Sequence, residues 1–205
     1  MSRLTREQSR IATRERLRQA ALDEFAYCGF AGASIDRIAE AAGFSRGAFY
    51  SNYASKHEIM LALMREQSAE DVGQWQELIR THGGQSDLFA VIADWFEQFM
   101  QRVPWALFSV EAQLQARRDP VFAAEHRQYL SEIEANIAEL IARLFYSSGK
   151  QVPDDLALLA RGFYSLALGL FLSMDSASPD VGAKSAGAIL ARFFEGLISA
   201  AQSAP

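Results

Sequence analysis

A short cluster of residues near the N-terminus combines one long basic side chain with neighbours that are unusually small. Arg46 is followed by Gly47 and Ala48, so a helix that begins at Arg46 has little bulk around its guanidinium group. Small side chains let a backbone approach DNA closely, and an alanine methyl can contact a thymine methyl. An arginine can also donate two parallel hydrogen bonds to a guanine edge. The cluster predicts contact with DNA bases, with Arg46 as the side chain that reads sequence.

Hydroxyl and ammonium groups around this cluster are suited to phosphates, which position a protein on the duplex without specifying its sequence. The helix beginning near Lys56 also offers free backbone N–H groups to an anion. Tyr50 is expected to contact DNA, although its ring could instead belong to the core. The predicted DNA-binding residues are Ser34, Ser45, Arg46, Gly47, Ala48, Tyr50, Tyr53 and Lys56.

Two short helices are needed to position these side chains. Ser34 is a predicted cap for a helix whose apolar positions include Ile35 and Ile38, and Gly43 is predicted to end it. A turn of about three residues leads to Ser45, the predicted cap of the second helix. This layout is typical of a helix-turn-helix, whose second helix enters the major groove.

The stretch from Ser34 to Tyr50, with Tyr53, Ser55 and Lys56 after it, resembles the TetR family of transcription regulators. The resemblance covers about the first 60 residues. It implies a homodimer that binds a palindromic operator, most often as a repressor. It also implies a C-terminal domain that senses a small molecule and sets the separation of the two DNA-binding heads. The family's DNA contacts fall on matching positions, namely Ser34, Ser45, Arg46, Gly47, Tyr50 and Lys56.

The whole chain is predicted to be all-α, with about nine helices and no strand of real length. A three-helix DNA-binding domain is expected over residues 1–54, and a ligand-sensing and dimerisation bundle over 55–205. Thr5 and Gln8 form a possible capping box for the first helix. The predicted helices cover approximately residues 5–28, 34–43, 46–50, 55 into the seventies, 87–103, 104–117, 119–146, 153–174 and 179–201.

Charge is distributed unevenly along the chain. The net charge is −5, which taken alone argues against a nucleic-acid partner. Residues 1–58 carry nine Lys plus Arg against seven Asp plus Glu, whereas residues 59–205 carry eleven against eighteen. DNA binding is therefore expected only on the N-terminal part. The arginines at positions 3, 6, 10 and 14 belong either to a solvated helix face or to a further DNA contact.

Aromatic side chains are concentrated in the middle of the chain. A hydrophobic core explains any one of them, but helical bundles also place ligand sites between facing helices. Aromatic walls would suit an apolar or aromatic effector. The predicted pocket residues are Trp95, Phe96, Phe99, Trp105, Phe108, Glu111, Phe122, His126, Tyr129, Phe163 and Tyr164.

The last two helices are predicted to form the dimer interface. Small residues recur at helical spacing on the first of these two helices, which permits another helix to approach closely. The apolar residues of the second helix occupy more than one face, so packing on its own bundle leaves an apolar face that another helix must bury. Packing within the chain is the alternative. The predicted interface residues are Gly162, Ser165, Gly169, Leu190, Phe193, Phe194 and Leu197.

Several other classes of protein are disfavoured. The sequence has no glycine-rich phosphate loop, no metal-spaced Cys/His cluster and no nucleophile beside a histidine, so no catalytic residues, metal or cofactor are expected. The longest apolar run, 162–174, is short for a membrane span of about 20 residues. The single Cys28 favours a reducing cytoplasm, and it is expected to be buried. A ligand-binding helical bundle without DNA function remains the alternative.

Overall fold

The computed structural model describes residues 5–82, 88–174 and 179–203, and within these ranges it contains nine helices. The all-α prediction is confirmed. The helices are α1 (Arg6–Gly32), α2 (Ile35–Ala41), α3 (Arg46–Tyr50), α4 (Lys56–His82), α5 (Leu88–Met100), α6 (Val103–Arg118), α7 (Pro120–Ser147), α8 (Leu156–Ser173) and α9 (Pro179–Ala200).

Helix α1 begins and bends at residues that its sequence predicts. The Thr5 hydroxyl accepts from the Gln8 N–H at 3.2 Å, and the Thr5 N–H donates to the Gln8 side chain at 2.9 Å. This confirms the predicted capping box. Gly29 has a φ of +69° and leaves helical geometry, after which a short helical stretch continues to Gly32. Cys28, just before the kink, is exposed, so its predicted burial is wrong.

The chain forms two compact units. The first combines Met1–Gln67 with Pro104–Tyr129, and the second combines Ser68–Val103 with Leu130–Pro205. Helix α6 and the start of α7 therefore pack with the N-terminal helices. The predicted division after residue 54 separates a DNA-binding domain from a ligand-sensing and dimerisation domain by their roles, and it stays a prediction.

The first unit is built around the apolar faces of α1 to α4. Leu17 and Phe25 of α1 are fully buried, together with Ile38 of α2, Phe49 of α3 and Ile59 of α4. Phe108 of α6 contacts Phe25, with ring centroids 6.2 Å apart. Burial of each large apolar side chain stabilises the fold by about 1.5–3 kcal/mol, so this shared core holds the short helices α2 and α3 in place.

The second unit has its own core between α5, α7, α8 and α9. The Phe163 ring of α8 packs 4.9 Å from Phe96 of α5 and 4.9 Å from Phe194 of α9. Gly187 lets α9 approach α5, since a Cβ added there would lie 2.8 Å from the Ala93 carbonyl oxygen. The apolar stripe of α9 is thus covered within the chain.

Helix α8 is more exposed than its composition predicts. It is the one helix among the described residues that is long and apolar enough to cross a membrane, with a mean hydropathy of 1.6. Only 11% of its residues are buried, and Leu158 and Leu172 are 65% and 59% exposed. The apolar run 162–174 is thus largely exposed in the single chain, because only one side of α8 faces the core.

Candidate DNA-binding face

The turn between α2 and α3 has the geometry that its sequence predicts. Gly43 has a φ of +75°, which favours glycine because a Cβ is strained in that region. The Phe44 N–H donates to the Ala39 carbonyl at 2.8 Å, and the Gly43 N–H donates to Glu40 at 2.9 Å. These bonds close the end of α2. The chain then enters α3 after a short turn, as a helix-turn-helix requires.

Two of the predicted serine caps differ from each other. The Ser45 hydroxyl accepts from the Ala48 N–H at 3.3 Å, which confirms the cap of α3. Ser34 occupies the predicted N-cap position of α2, but its hydroxyl makes no capping bond. The N–H of Ser34 instead donates to the Glu24 carboxylate at 3.2 Å. The half-buried Ser34 hydroxyl is therefore available to an outside acceptor or donor.

The outer surface of α3 is formed by Arg46, Gly47 and Tyr50, which are all exposed. Phe49 points the other way and is fully buried. Arg46 donates to the Asp36 carboxylate and to the Tyr50 hydroxyl, the latter at 3.3 Å. Both groups raise the pKa of Arg46, so its side chain stays cationic. Ala48 lies half-buried beside this surface.

Tyr53 is not part of this surface. It is 1% exposed, and its ring packs 6.0 Å from Phe49 and beneath the guanidinium group of Arg14, 4.3 Å from the ring centre. Burial raises the pKa of its hydroxyl. The predicted DNA contact of Tyr53 is wrong, because the whole side chain is buried in the core of the first unit.

The ammonium group of Lys56 has partners inside the protein. It donates to the carbonyls of Phe30 and Ala33, both at 2.8 Å, and lies 4.8 Å from the Phe30 ring centre. Burial lowers the pKa of Lys56, and the positive charge of Arg37 lowers it further. In the free protein the side chain fastens the start of α4 to the end of α1, and its phosphate contact stays a prediction.

The N-terminal arginines serve different purposes. Arg3 lies outside the described residues. Arg14 donates to the Asn52 carbonyl at 2.8 Å, and Arg10 pairs with Glu7 at 3.1 Å. Arg6 is exposed. An open groove runs between the first turns of α1 and the residues that follow α3, lined by Thr5, Arg6, Glu7, Ser9, Arg10, Thr13, Ser51 and Asn52.

The sequence interpretation missed Asp36, which holds Arg46 in the free protein. Asp36 lies in the first turn of α2, ten residues before Arg46. The sequence does show an acidic residue in the first turn of the first helix of the motif, and so a negative charge near the predicted DNA-binding face. It does not show that Asp36 pairs with Arg46, because that contact depends on the angle at which α2 and α3 pack.

The predicted pocket residues fall into both compact units. In the first unit, the ring of Trp105 contacts Phe108 at 5.5 Å, and the His126 ring contacts Phe122 at 6.1 Å and Tyr129 at 6.2 Å. His126 is 5% exposed, and burial lowers its pKa, which keeps the imidazole neutral. This group offers aromatic walls with one neutral polar side chain, and its ligand role stays a prediction.

Glu111 is the exception in the first unit. Its carboxylate accepts from the Phe30 N–H at 3.0 Å and lies against Gly29. This contact directs the side chain to the end of α1, and its ligand role stays a prediction.

In the second unit, Phe96 and Phe163 are buried in the core, and Trp95 packs edge-on against Phe96 at 5.0 Å. Tyr164 is half-buried beside them. The side chain of Phe99 lies outside the described residues. These rings fill the interior of the second unit, and whether any of them lines a ligand site stays a prediction.

The predicted dimer residues also divide into two groups. Gly162, Ser165 and Gly169 are exposed on α8, and a Cβ added at either glycine would meet no atom within 4 Å. Leu190 and Phe194 are fully buried within the chain, so their assignment to the interface is wrong. Phe193 and Leu197 are half-buried against the same core. The outer face of α9 instead presents residues such as Ile189, which is 46% exposed.

No group of three or more His, Cys, Asp or Glu side chains suited to a metal ion occurs within the described ranges.

Comparison with known proteins agrees with this geometry. Residues 17–63 match a family described as bacterial regulatory proteins of the tetR family, and residues 85–199 match the C-terminal domain of BetI-type transcriptional repressors. The transcriptional repressor AcnR of Corynebacterium efficiens is 29% identical over 133 residues, 65% of this chain and 66% of that protein. The chain therefore spans just under two thirds of the length of this relative.

Two further proteins extend the comparison. The transcriptional regulator BetI of Agrobacterium fabrum is 27% identical over 190 residues, covering 89% of this chain and 86% of that protein. The crystal structure of the regulator FadR from Bacillus subtilis in complex with stearoyl-CoA shares the fold, with a TM-score of 0.72, 15% identity, and coverage of 88% of this chain and 96% of that one. These relatives are named as regulators, which is a non-enzymatic role. The two family matches, the second of which extends over more than half of the chain, show that this protein belongs to the TetR family of bacterial transcriptional regulators.

Proposed function

We propose that the protein is a ligand-responsive repressor that binds a palindromic operator as a homodimer and is released by a small apolar or aromatic effector. The observation that carries the DNA-binding part is the exposed surface of α3, where Arg46, Gly47 and Tyr50 stand together after the Gly43 turn. The two named relatives AcnR and BetI are described as a transcriptional repressor and a transcriptional regulator.

In this proposal, α3 lies in the major groove and Arg46 donates to a guanine edge. The hydroxyls of Ser34, Ser45 and Tyr50 contact phosphates, as do backbone N–H groups at the start of α4. Gly47 and Ala48 allow the close approach. The groove that contains Arg6 and Arg10 also includes Ser51 and Asn52, which directly follow α3. In this proposal, the sugar-phosphate backbone next to the base pairs read by α3 lies along the groove.

The homodimer is supported by the outer face of α8. Gly162 and Gly169 face open space there, and Leu158 and Leu172 are mostly exposed. A second helix can approach closely over such small residues while covering the leucines. The same face explains why α8 is apolar enough to satisfy the composition of a membrane helix. A soluble, cytoplasmic dimer without a membrane partner follows from this assignment.

The effector is placed against the aromatic residues around His126. A neutral imidazole among Phe122 and Tyr129 favours an apolar or aromatic molecule with one hydrogen-bonding group over an ion. FadR, which shares this fold, was solved with stearoyl-CoA. A helical bundle of this kind provides such sites between its helices.

Selection of bound sequences from random DNA tests the DNA-binding part. The expected result is an enriched palindrome whose affinity falls with salt, with a slope of about −0.9 in log units per neutralised phosphate. A protein that enriches no sequence and shows no salt dependence would instead be a ligand-binding bundle without DNA function.

The effector part is tested with the uncharged aromatic dye N-phenyl-1-naphthylamine as a probe. Dye fluorescence should rise on binding to the wild type and rise less with His126→Phe. A panel of aromatic and acyl compounds is then tested for displacement of the dye and release of the operator. Dye binding that no compound displaces, with operator affinity unchanged throughout, argues against an effector site.

A further inference from the structure

Helix α3 is too short to be stable by itself. It has only five residues, and isolated helices of fewer than about 12–15 residues are marginal in water. Ser45 caps its first turn, and Phe49 holds its inner face in the core. The last carbonyls of a helix also need partners from outside its own hydrogen-bond ladder. The end of α3 therefore depends on the residues around it.

The two residues directly after α3 supply these partners. The N–H and the hydroxyl of Ser51 both donate to the Gly47 carbonyl, at 3.0 and 2.9 Å. The side-chain amide of Asn52 donates to the Ala48 carbonyl at 2.8 Å. Because these bonds join Ser51 and Asn52 to the small-residue part of α3, the position of the two residues sets the direction in which the helix ends.

Arg14 of α1 fixes this segment from the side. Its guanidinium group donates to the Asn52 carbonyl at 2.8 Å and lies over the Tyr53 ring, 4.3 Å from the ring centre. Tyr53 is buried and packs against Phe49, so the ring gives the guanidinium group a rigid support. A positive charge near the C-terminal end of a helix is also favourable. One side chain of α1 thus holds the residues that support the end of α3.

We propose that Arg14 is a positioning residue for base recognition, which holds the end of α3 so that Arg46 meets its guanine edge in the right geometry. This rests on the proposed function, in which Arg46 reads that base. Hydrogen bonds weaken steeply when their angles are distorted. A recognition site has to be held within about 0.5 Å and 10–20° of its working geometry. In this role Arg14 acts through α3 and makes no contact with DNA.

A direct phosphate contact is the competing role for Arg14, because Arg6 and Arg10 of the same helix line the neighbouring groove. The geometry favours positioning, since the half-buried guanidinium group is already engaged by a carbonyl and a ring. The two roles differ in what a substitution removes. A phosphate contact adds affinity for every sequence and a salt slope of about −0.9 in log units. A positioning residue adds preference between bases.

The test compares wild type and Arg14→Met on three duplexes, namely the selected operator, the operator with the base pair read by Arg46 exchanged, and random DNA. The wild type is expected to prefer the selected base pair by about 5–150-fold, the size of one bidentate contact. Arg14→Met keeps a long side chain against the Tyr53 ring but cannot donate to Asn52. Its preference should fall by about threefold or more, while its salt slope and its affinity for random DNA stay at the wild-type values.

Three further variants separate positioning from a loss of folding. Arg14→Lys should recover most of the base preference, because an ammonium group can donate to the Asn52 carbonyl and lie over the Tyr53 ring. Asn52→Ala removes the amide that supports Ala48, so it should also lower the preference and provides a second test if Arg14→Met does not fold. Arg127→Met, the same substitution at an exposed arginine of α7, is the control and should match the wild type.

Each outcome decides between these roles. Wild-type base preference in both Arg14→Met and Asn52→Ala overturns the positioning role and leaves the proposed function intact. Equal weakening on all three duplexes, with a salt slope shallower by about 0.9, also overturns it, because that result identifies a phosphate contact. An equal loss of preference in Arg14→Met and Arg14→Lys, with lower melting temperatures in both, marks general destabilisation and overturns it as well. A wild type that selects no operator overturns the proposed function, and the positioning role with it.

Discussion

The guanidinium group of Arg46 donates to both carboxylate oxygens of Asp36, at 2.7 and 3.0 Å. Both side chains are more than half exposed, at 58% and 61%. Exposed ion pairs of this kind contribute only about 0–1 kcal/mol, so a guanine edge can replace Asp36 at little cost. In the free protein the pair keeps the arginine in place over α3, and in the proposed complex a base edge takes the place of Asp36.

Replacing Arg46 by alanine should abolish preference at one symmetric base pair of the operator. The expected loss is about 1–3 kcal/mol, the value of one bidentate base contact, with weak binding to all sequences retained. Sequence selection with the variant, followed by affinity measurement on single-base operator variants, provides the readout.

Asp36→Asn is the matched control for Arg46. It removes a negative charge from the DNA-facing surface and should strengthen binding to all sequences while leaving the preferred bases unchanged. If Arg46→Ala weakens every sequence equally, Arg46 contacts phosphate and not a base.

Tyr53→Phe should leave operator affinity unchanged and should not lower the free energy of unfolding. The Tyr53 hydroxyl is buried beside the guanidinium groups of Arg14 and Arg18, but no hydrogen bond of good geometry reaches it among the described residues. A buried polar group left unsatisfied costs about 1–3 kcal/mol. Removing it is expected to be neutral or to stabilise the fold by up to about 1 kcal/mol. Urea unfolding and operator titration measure the two quantities.

Tyr50→Phe provides the comparison, because the Tyr50 hydroxyl is on the exposed surface and bonded to Arg46. It should weaken DNA binding with little effect on unfolding. Weaker DNA binding by Tyr53→Phe would contradict the assignment of Tyr53 to the core.

The sequence predicted the elements of this fold because their ends are encoded locally. Thr5, Ser45 and Asp119 each accept from a backbone N–H two or three residues ahead, as their spacing indicates. Gly29 and Gly43 have the positive φ expected where helices end or bend. The exposed side of α3 follows equally from local periodicity.

The hydrogen-bond partners of polar side chains are less predictable from the sequence. Lys56 looks like a phosphate contact in sequence, yet its carbonyl partners are 26 and 23 residues away. Glu111 meets Phe30 across 81 residues. Such pairings depend on how helices pack, and no local pattern records them. The same reason explains why Leu190 was assigned to the dimer interface but is buried within the chain. An apolar stripe on a helix does not indicate whether the helix packed against it belongs to the same chain or to a second copy.

Acid should destabilise the protein partly through His126. Burial lowers its pKa from the ordinary value of 6.5. Above that value the residue is neutral in both the folded and the unfolded chain. As the pH falls below 6.5, the unfolded chain binds a proton that the folded chain does not, so the free energy of unfolding decreases until the folded pKa is passed.

Melting temperatures between pH 8 and pH 5 measure this effect. His126→Phe should show a smaller decrease than the wild type over the acidic part of the range. Arg127→Gln, a substitution at an exposed neighbour, should keep the wild-type decrease. Equal decreases in all three proteins would show that His126 is solvated in the folded state.

Gly169→Glu should prevent dimer formation without unfolding the chain. Gly169 is exposed on α8, and a Cβ added there would meet no atom within 4 Å, so the single chain can accept the larger side chain. In the proposed dimer the same carboxylate would be buried near its copy, which is costly for an unpaired charge. Light scattering after size exclusion should therefore give about half the wild-type mass, and affinity for the full operator should fall towards that of one half-site.

The matched control for Gly169→Glu is Arg127→Glu, which adds a carboxylate to an exposed position of α7. It should remain dimeric and keep its circular dichroism spectrum. A Gly169→Glu protein that keeps the wild-type mass would place the dimer interface elsewhere. In that case the exposed leucines of α8 would need another partner, because Leu158 and Leu172 remain uncovered in the single chain.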